Sequence, residues 1–297
     1  MATLFIDIGS NSIKALLARF ECGRVARIAE YTQNSRISSA GGLKPDAADI
    51  IFDCANELSA LAKNDCASFG AFCFGTSALR DSPTANGVLK SLGGRGLKIR
   101  VLSGQEEAIL SFEGAMLDEN LNISPSEPIV YADLGGGSME FVVRQNGKIS
   151  MIKSLPIGAV RLTNSFAQNS SLDRAGLRLH CAQMMSQIPV PRGNFRLVVA
   201  GGAVSAARFI LGGGKMSEKR ELSLRDFEDA LSIADSFGAE GLEKKFGTPK
   251  NRADILPAAF LCLIETIRHF GAGCLEHTQF SLRYGVAAAY FAGRLNY

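Results

Sequence analysis

One segment organises this sequence: Ile129-Val130-Tyr131-Ala132-Asp133-Leu134-Gly135-Gly136-Gly137-Ser138-Met139-Glu140-Phe141-Val142-Val143. Two apolar runs are separated by an acid and three glycines, which predicts a strand, a tight turn and a second strand. Glycine has no Cβ, so the backbone N–H groups from Gly135 to Ser138 can approach an anion closely. We therefore expect Gly135, Gly136, Gly137 and Ser138 to bind a phosphate.

Two carboxylates flank this turn. Asp133 ends the first predicted strand and Glu140 follows the turn. Carboxylates beside a phosphate would repel it unless a hard cation lay between them, and Mg²⁺ prefers oxygen ligands of this kind. The arrangement predicts a Mg²⁺ site at Asp133 and Glu140.

The same pattern occurs at the N-terminus, where Thr3 to Leu17 gives a strand, an Asp-x-Gly turn and a strand. Each half then continues to a third strand, through Cys22-Gly23 in the first half and Asn146-Gly147 in the second. Asn-Gly between apolar-rich runs is a strong hairpin signal. The chain is thus predicted to contain two related halves, each opening with three antiparallel strands.

Composition sets limits on the class of protein. The chain has 297 residues, 46% of them hydrophobic, which is enough for two domains with substantial cores. A net charge of +3 argues against a nucleic-acid binder. Seven cysteines without CxxC spacing favour a reducing compartment, and the three histidines lack metal-ligand spacing. Without a signal peptide or an apolar run of spanning length, the sequence predicts a cytoplasmic protein with no membrane partner.

Two further motifs carry candidate site residues. Ser103-Gly104-Gln105-Glu106 predicts a capping box, which gives Glu106 a structural task. Glu107 lies one position further round the helix, where it either complements the helix dipole or points into a cleft. Gly201-Gly202, after the apolar run Leu197 to Ala200, predicts a helix N-terminus suited to an anion.

The remaining segments give a coarse secondary structure. Residues 34 to 43 predict a loop, and helical spacing of apolar residues predicts helices over 46–63, 224–237, 257–270 and 285–295. A short buried strand is predicted at 71–74, just before Thr76.

The two Asp-turns resemble those of the actin, sugar kinase and heat-shock chaperone superfamily. Within it, the sequence is most similar to the exopolyphosphatase and guanosine pentaphosphate phosphohydrolase (Ppx/GppA) family. Further matches follow in the family's order at Thr76-Ser77-Ala78-Leu79-Arg80, Leu102-Ser103-Gly104-Gln105-Glu106-Glu107-Ala108, Leu155-Pro156-Ile157-Gly158-Ala159-Val160-Arg161-Leu162 and Gly201-Gly202. The resemblance implies an α/β fold of two actin-like (ribonuclease H-like) domains with mixed sheets and an active-site cleft between them.

The resemblance also implies domain limits and residue roles. Residues 1–112, joined by a C-terminal helix at about 285–297, would form the first domain and residues 113–284 the second. Glu107 would be the catalytic glutamate and Arg80 would clamp a substrate phosphate. The remaining implied residues are phosphate contacts at Gly9, Ser10, Asn11, Ser12, Gly201 and Gly202, and a further metal carboxylate at Asp7.

Two positions depart from the family pattern. The asparagine expected soon after Arg80 is delayed to Asn86, and Tyr284 occupies a position often held by glutamate. Longer family members add a helical C-terminal domain, so a chain of this length is expected to contact only a few phosphates of a polyphosphate.

These observations lead to a main hypothesis and three alternatives. The main hypothesis is Mg²⁺-dependent hydrolysis of terminal phosphoanhydrides in polyphosphate; the first alternative is 5′-phosphate release from pppGpp. A sugar-kinase-like phosphotransferase shares the Asp-turns but not the Ser-Gly-x-Glu-Glu helix. A guanosine-polyphosphate-binding module with little turnover is suggested by the altered spacing after Arg80 and by Tyr284. As for assembly, the chain is a candidate homodimer.

Overall fold

The computed structural model describes residues 1–39, 42–168 and 171–297. The strands, in chain order, are β1 Ala2–Ile8, β2 Ile13–Glu21, β3 Arg24–Gln33, β4 Ser38–Ser39, β5 Gly42–Leu43, β6 Phe69–Gly75, β7 Arg100–Val101, β8 Ile129–Leu134, β9 Met139–Gln145, β10 Lys148–Leu155, β11 Ala167–Gln168, β12 Ser171–Leu172, β13 Arg196–Ala200, β14 Glu221–Ser223 and β15 Cys274–His277. The helices are α1 Ala47–Asp65, α2 Ser77–Asp81, α3 Ala85–Gly94, α4 Gly104–Ala115, α5 Ala159–Phe166, α6 Arg174–Met185, α7 Gly202–Leu211, α8 Leu224–Phe246, α9 Lys250–Ala253, α10 Leu256–Phe270 and α11 Leu282–Phe291, with a 3₁₀ turn at Glu119–Leu121.

The chain forms two compact units. The first contains Met1–Leu117 and Phe280–Tyr297, and the second contains Asp118–Gln279. The domain limit placed at 112/113 in the sequence falls inside α4, which continues to Ala115. A helix is cooperative along its length, so a unit boundary is more naturally placed after it than within it.

The first unit is built on a five-stranded sheet in the order β3-β2-β1-β6-β7. The pairs β1–β2 and β2–β3 are antiparallel, whereas β1–β6 and β6–β7 are parallel. Alternation along β1 sends Leu4 and Ile6 to the core on one face and Phe5 to a core on the other. Asp7 lies on the same face of the sheet as Phe5, near the end of β1. This is the face on which α4 and α11 pack.

Helices α4 and α11 approach each other unusually closely within the first unit. A Cβ on Gly114 would lie 2.0 Å from the Ser281 carbonyl oxygen, and one on Gly285 would lie 1.7 Å from the Leu110 carbonyl oxygen. Only glycine can occupy either position at this separation. Because α11 begins at Leu282 rather than at the predicted Gly285, Tyr284 lies in its first turn, where its hydroxyl donates to Glu30 Oε1 at 2.6 Å.

The second unit repeats the plan of the first. Its sheet has the order β10-β9-β8-β13-β15-β14, and its first four strands correspond to β3-β2-β1-β6 in both order and direction. Both β2–β3 and β9–β10 turn through two residues with positive φ, Cys22-Gly23 and Asn146-Gly147, as type I′ hairpin turns require. The predicted α/β fold with two mixed sheets and three antiparallel strands opening each half is confirmed.

Two local predictions are corrected by the structure. The predicted loop from 34 to 43 contains β4 and β5, although its residues Ala40 and Gly41 lie outside the described part of the chain. The helix predicted over 224–237 continues to Phe246 across a non-helical residue, Gly238, with φ 60°. Within the described residues, no helix is both long and apolar enough to cross a membrane.

Candidate active site

The second glycine turn is held by the helix that follows β10. The amides of Ala159 and Val160, at the start of α5, donate to the carbonyls of Gly135 and Gly136 at 2.9 and 2.8 Å. Arg161 also donates twice: its amide donates to the Gly136 carbonyl at 3.1 Å, and its Nε donates to the Gly137 carbonyl at 2.7 Å. The helix therefore holds three consecutive carbonyls of the turn.

This arrangement orients the amides of the turn. In a trans peptide the C=O and the following N–H point in opposite directions. The carbonyls of Gly135, Gly136 and Gly137 point to α5 donors, so the N–H groups of Gly136, Gly137 and Ser138 point away from those donors. The Gly135 N–H itself closes the turn by donating to the Ser138 carbonyl at 3.0 Å, so Gly135 shapes the turn rather than offering a donor to a ligand.

The carboxylates flanking this turn face the same side of the sheet. Asp133 and Glu140 are direct cross-strand partners in β8 and β9. Glu140 is 2% exposed and accepts a hydrogen bond from Ser154 Oγ at 2.8 Å, while Tyr131 Oη lies 3.5 Å from Asp133 Oδ2. Two carboxylates therefore lie side by side, next to a turn with oriented amides.

The first glycine turn has the same backbone hydrogen bond as the second, but the side chains that flank it carry different charges. Gly9 N–H donates to the Ser12 carbonyl at 3.2 Å, as Gly135 does to Ser138. The cross-strand partner of Asp7 is Lys14, whereas that of Asp133 is Glu140. The paired carboxylates thus belong to the second unit only, a difference visible in the sequence as the residue seven positions after each aspartate.

The residues around the first turn are held by the segment that leads to β4. Arg36, with φ 37°, donates its amide to the Asn11 carbonyl at 2.9 Å and its Nε to Asn11 Oδ1 at 3.2 Å. The Ser38 amide donates to the Ser10 carbonyl at 3.4 Å. The carbonyls of Ser10 and Asn11 are therefore engaged by the protein, while Ser12 closes the turn with Gly9.

In the first unit, Glu107 and Arg80 are brought into direct contact. Glu107 lies in the first turn of α4, directly after the predicted capping box. In this box the Glu106 amide donates to Ser103 Oγ, and the Ser103 amide donates to Glu106 Oε2. The Glu107 side chain is 9% exposed, and Arg80 Nη1 donates to its Oε2 at 2.6 Å. A buried carboxylate in contact with an arginine is a candidate for chemistry, because such environments are characteristic of functional sites.

Gly201 and Gly202 join the end of β13 to α7. Gly201 has φ 121°, and a Cβ there would lie 2.6 Å from the Leu134 carbonyl oxygen at the end of β8. Arg252 Nη2 donates to the Gly202 carbonyl at 3.1 Å, and burial lowers the pKa of Arg252. This turn is consequently packed against the strand that carries Asp133.

A buried polar network holds the other side of α7. His277 is fully buried, its Nδ1 lies 2.9 Å from Arg208 Nη1, and its Nε2 lies 3.3 Å from Ser205 Oγ. Arginine can only donate, so Nδ1 accepts and the ring proton lies on Nε2. Burial first, and then the charges of Arg208 and Arg220, lower the pKa of His277 to about 3.

We expect this histidine to make the protein acid-sensitive. In the unfolded chain His277 has a pKa near 6.5, whereas in the folded chain its pKa is about 3. The contribution of His277 to the free energy of unfolding is therefore complete above pH 6.5 and declines as the pH falls from 6.5 towards 3. The slope from this one group approaches about 1.4 kcal/mol per pH unit. Urea unfolding of wild type and His277→Gln between pH 4 and 8 tests this, with the flatter profile expected for the variant.

His180→Gln provides the control, because His180 is half-buried against the Phe166 ring at 5.4 Å and has no part in this network. Equal pH slopes for wild type and His277→Gln would contradict the prediction.

The structure places the predicted site residues in two groups. Arg80 and Glu107 meet in the first unit, which also holds Asp7 and the Gly9–Ser12 turn. Asp133, Glu140, the Gly135–Ser138 turn and Gly201-Gly202 lie together in the second. Sequence reasoning included Gly158 in a family motif without giving it a role, and it gave no role to His277, whose position carries no signal apart from what it contacts.

Comparison with known proteins assigns the family. The model of the Ppx/GppA phosphatase family matches residues 20–290. Two solved structures share the fold: an exopolyphosphatase from Cytophaga hutchinsonii at a TM-score of 0.83 and 19% identity, covering 99% of this chain and 98% of that one, and the Ppx/GppA enzyme of Aquifex aeolicus at 0.75 and 21%, covering 97% and 99%. The chain belongs to the Ppx/GppA phosphatase family.

The curated relatives are longer than this chain. A guanosine-5′-triphosphate,3′-diphosphate pyrophosphatase of Aeromonas hydrophila is 24% identical over 295 residues, covering 95% of this chain and 58% of the relative. Exopolyphosphatase 1 of Mycobacterium tuberculosis is 28% identical over 173 residues, covering 54% of this chain and 47% of the relative. The chain spans about half the length of curated relatives such as these.

Proposed function

We propose that this chain hydrolyses the terminal phosphoanhydride of inorganic polyphosphate in a Mg²⁺-dependent reaction. The observation that carries the proposal is the Gly135–Ser138 turn, whose carbonyls are held by α5 and whose amides are oriented in advance beside Asp133 and Glu140. Amide donors fixed before the reaction stabilise developing negative charge without reorganisation. The membership in a phosphatase family supports the same reaction class.

Each residue has a proposed role in the hydrolysis. The amides of Gly136, Gly137 and Ser138 would bind the terminal phosphate. Glu107 would orient a water and accept its proton as the oxygen attacks the terminal phosphorus, while the bond to the bridging oxygen breaks. The shortened chain leaves as an anion, and orthophosphate is released.

The donor set of the second unit fits a magnesium ion. Mg²⁺ is usually held by one or two carboxylates together with waters and substrate phosphates, rather than by a cage of protein ligands. Asp133 and Glu140 supply two such carboxylates on one face of the sheet. Across the described residues, no group of three or more His, Cys, Asp or Glu side chains could hold a metal. The ion, when bound, would neutralise phosphate charge.

We expect phosphate release from polyphosphate to be favoured over release from pppGpp. The basic residues are dispersed through the chain, which suits a repeating anion, and no segment independently signals guanine recognition. Binding through ionic contacts weakens as salt screens them, so KM for polyphosphate should rise with ionic strength. Mg²⁺-dependent phosphate release from short polyphosphate, long polyphosphate and pppGpp, measured in parallel at two salt concentrations, tests the substrate.

The second candidate substrate is pppGpp, favoured by the relative that aligns over 95% of this chain. A preference for pppGpp that added polyphosphate does not reduce would overturn the polyphosphate assignment and leave the hydrolytic mechanism intact. Tight binding of ppGpp in calorimetry, with no hydrolysis of any substrate, would instead establish a binding module.

A further inference from the structure

A transverse row of side chains crosses the sheet of the second unit beside the glycine turn. Ser154, on the edge strand β10, is the cross-strand partner of Glu140 on β9, and Glu140 is the partner of Asp133 on β8. Residues directly opposite each other in a sheet project from the same face. Ser154 therefore lies on the face that carries the two carboxylates, next to Glu140.

The Ser154 hydroxyl is bonded to the more peripheral of these carboxylates. Its Oγ donates to Glu140 Oε1 at 2.8 Å, and Glu140 is 2% exposed. The last torsion of a glutamate side chain has a broad energy profile, so a carboxylate is not oriented by its own rotamer alone. The hydrogen bond from Ser154 ties one oxygen to the sheet and thereby restricts the direction of the other.

The register of β10 fixes the serine at this place. Leu155, the next residue, is 1% exposed, pairs with Met139 and belongs to the core of the second unit. A slip by one residue would send Ser154 into that core and turn Leu155 to the opposite face. The buried leucine therefore holds the hydroxyl on the face of the carboxylates.

The first unit has the same row with different chemistry. Asp7 pairs with Lys14, and Lys14 pairs with Thr32 on β3. A hydroxyl side chain thus occupies the same place in both sheets, but its neighbour in the first unit is a cation. A hydroxyl can donate a proton to a carboxylate and not to an ammonium group. The arrangement of a hydroxyl behind a carboxylate belongs to the unit with paired carboxylates.

We propose that Ser154 is a positioning residue that orients the Glu140 carboxylate for the divalent cation. The inference rests on the proposed function, in which Asp133 and Glu140 hold that cation. Hydrogen-bond donors behind a metal-binding carboxylate fix its direction, and their loss typically weakens metal affinity by about 10- to 100-fold. Ser154 thus sets the affinity for the cation, while the steps at phosphorus depend on other residues.

The test is direct binding of Mn²⁺ to the protein without substrate, followed by electron paramagnetic resonance. Mn²⁺ prefers the same oxygen ligands as Mg²⁺. Ser154→Ala is expected to raise the Mn²⁺ dissociation constant by about tenfold or more. The Mg²⁺ concentration for half-maximal phosphate release from short polyphosphate should rise by a similar factor, with kcat at saturating Mg²⁺ close to the wild-type value.

Three further variants isolate the hydroxyl and its partner. Ser154→Thr keeps the hydroxyl and should restore Mn²⁺ affinity. Ser150→Ala is the matched control, because Ser150 lies on the same strand and its Oγ donates to the Val143 carbonyl of β9 at 3.1 Å. It should leave Mn²⁺ affinity unchanged. In a Glu140→Gln background, Ser154→Ala should have no further effect on Mn²⁺ affinity, because the carboxylate that it orients is absent.

The outcomes distinguish this inference from the proposed function. Wild type without phosphate release from polyphosphate or pppGpp contradicts the function itself. Active wild type with equal Mn²⁺ affinity in Ser154→Ala and Ser150→Ala overturns the inference alone. A lower melting temperature of Ser154→Ala with unchanged Mn²⁺ affinity would show a purely structural role, which also overturns it. An equal loss of affinity on Ser154→Ala with and without Glu140→Gln would do the same, because the effect would not pass through Glu140.

Discussion

Replacement of Glu107 by glutamine is expected to lower kcat for phosphate release by about 100-fold or more, the usual contribution of a general base. In the wild type, Arg80 Nη1 lies 2.6 Å from Glu107 Oε2. The glutamine side chain retains an oxygen that can accept this hydrogen bond, but it cannot take a proton from water. Substrate affinity should therefore be retained. Steady-state kinetics combined with calorimetric titration of a non-hydrolysed phosphate chain measures the two effects separately.

Glu113→Gln is the control for this substitution. Glu113 lies on the same helix, α4, and its carboxylate pairs with Arg294 at 2.7 Å on a side chain 33% exposed. It should release phosphate at the wild-type rate. Near-normal turnover by Glu107→Gln, with folding equal to wild type, would remove Glu107 from the mechanism.

A second large effect is expected from Gly158→Ala. The added Cβ would lie 2.4 Å from Gly137 C and Ser138 N, atoms of the turn backbone that cannot move without breaking the contacts to α5. Overpacking of this kind costs about 3 kcal/mol or more when no side chain can give way. We expect a lower melting temperature and a loss of phosphate release of about 100-fold, because oriented amide donors each contribute strongly to such reactions.

Two further variants make this prediction decisive. Gly93→Ala in α3 adds a Cβ that meets nothing within 4 Å, so it should be neutral or slightly stabilising. If Gly158→Ala does not fold, Arg161→Gln removes the Nε donor to the Gly137 carbonyl without adding an atom next to the turn, and a raised KM with a normal fold is expected. Wild-type stability and KM in both Gly158→Ala and Arg161→Gln would contradict the proposed role of α5.

The departure at position 284 has a structural consequence within the first unit. Tyr284 Oη and Arg283 Nη2 both donate to Glu30, at 2.6 and 2.7 Å, and Tyr284 stacks on Phe280 with ring centroids 4.1 Å apart. Burial raises the pKa of Tyr284. The tyrosine thus ties the start of α11 to β3 as a neutral donor, and a carboxylate at this position would instead face Glu30 with like charge.

The sequence by itself determined the elements whose cause is local. Alternating apolar residues and the two-residue turns predicted the three-stranded openings of both halves, and Ser103 with Glu106 predicted the start of α4, because these signals depend on residues adjacent in the chain. The repetition of the Asp-turn also predicted two units of similar plan, since each copy encodes the same hairpin.

Only the tertiary structure decided which side chains and backbone groups meet. Arg80 reaches Glu107 across 27 residues, and Gly158 packs on a turn about 20 residues earlier. Neither contact follows from periodicity, because it depends on how a helix is placed on a sheet by the whole core beneath it. The same holds for His277, whose depressed pKa comes from complete burial beside two arginines that are 69 and 57 residues away in the chain.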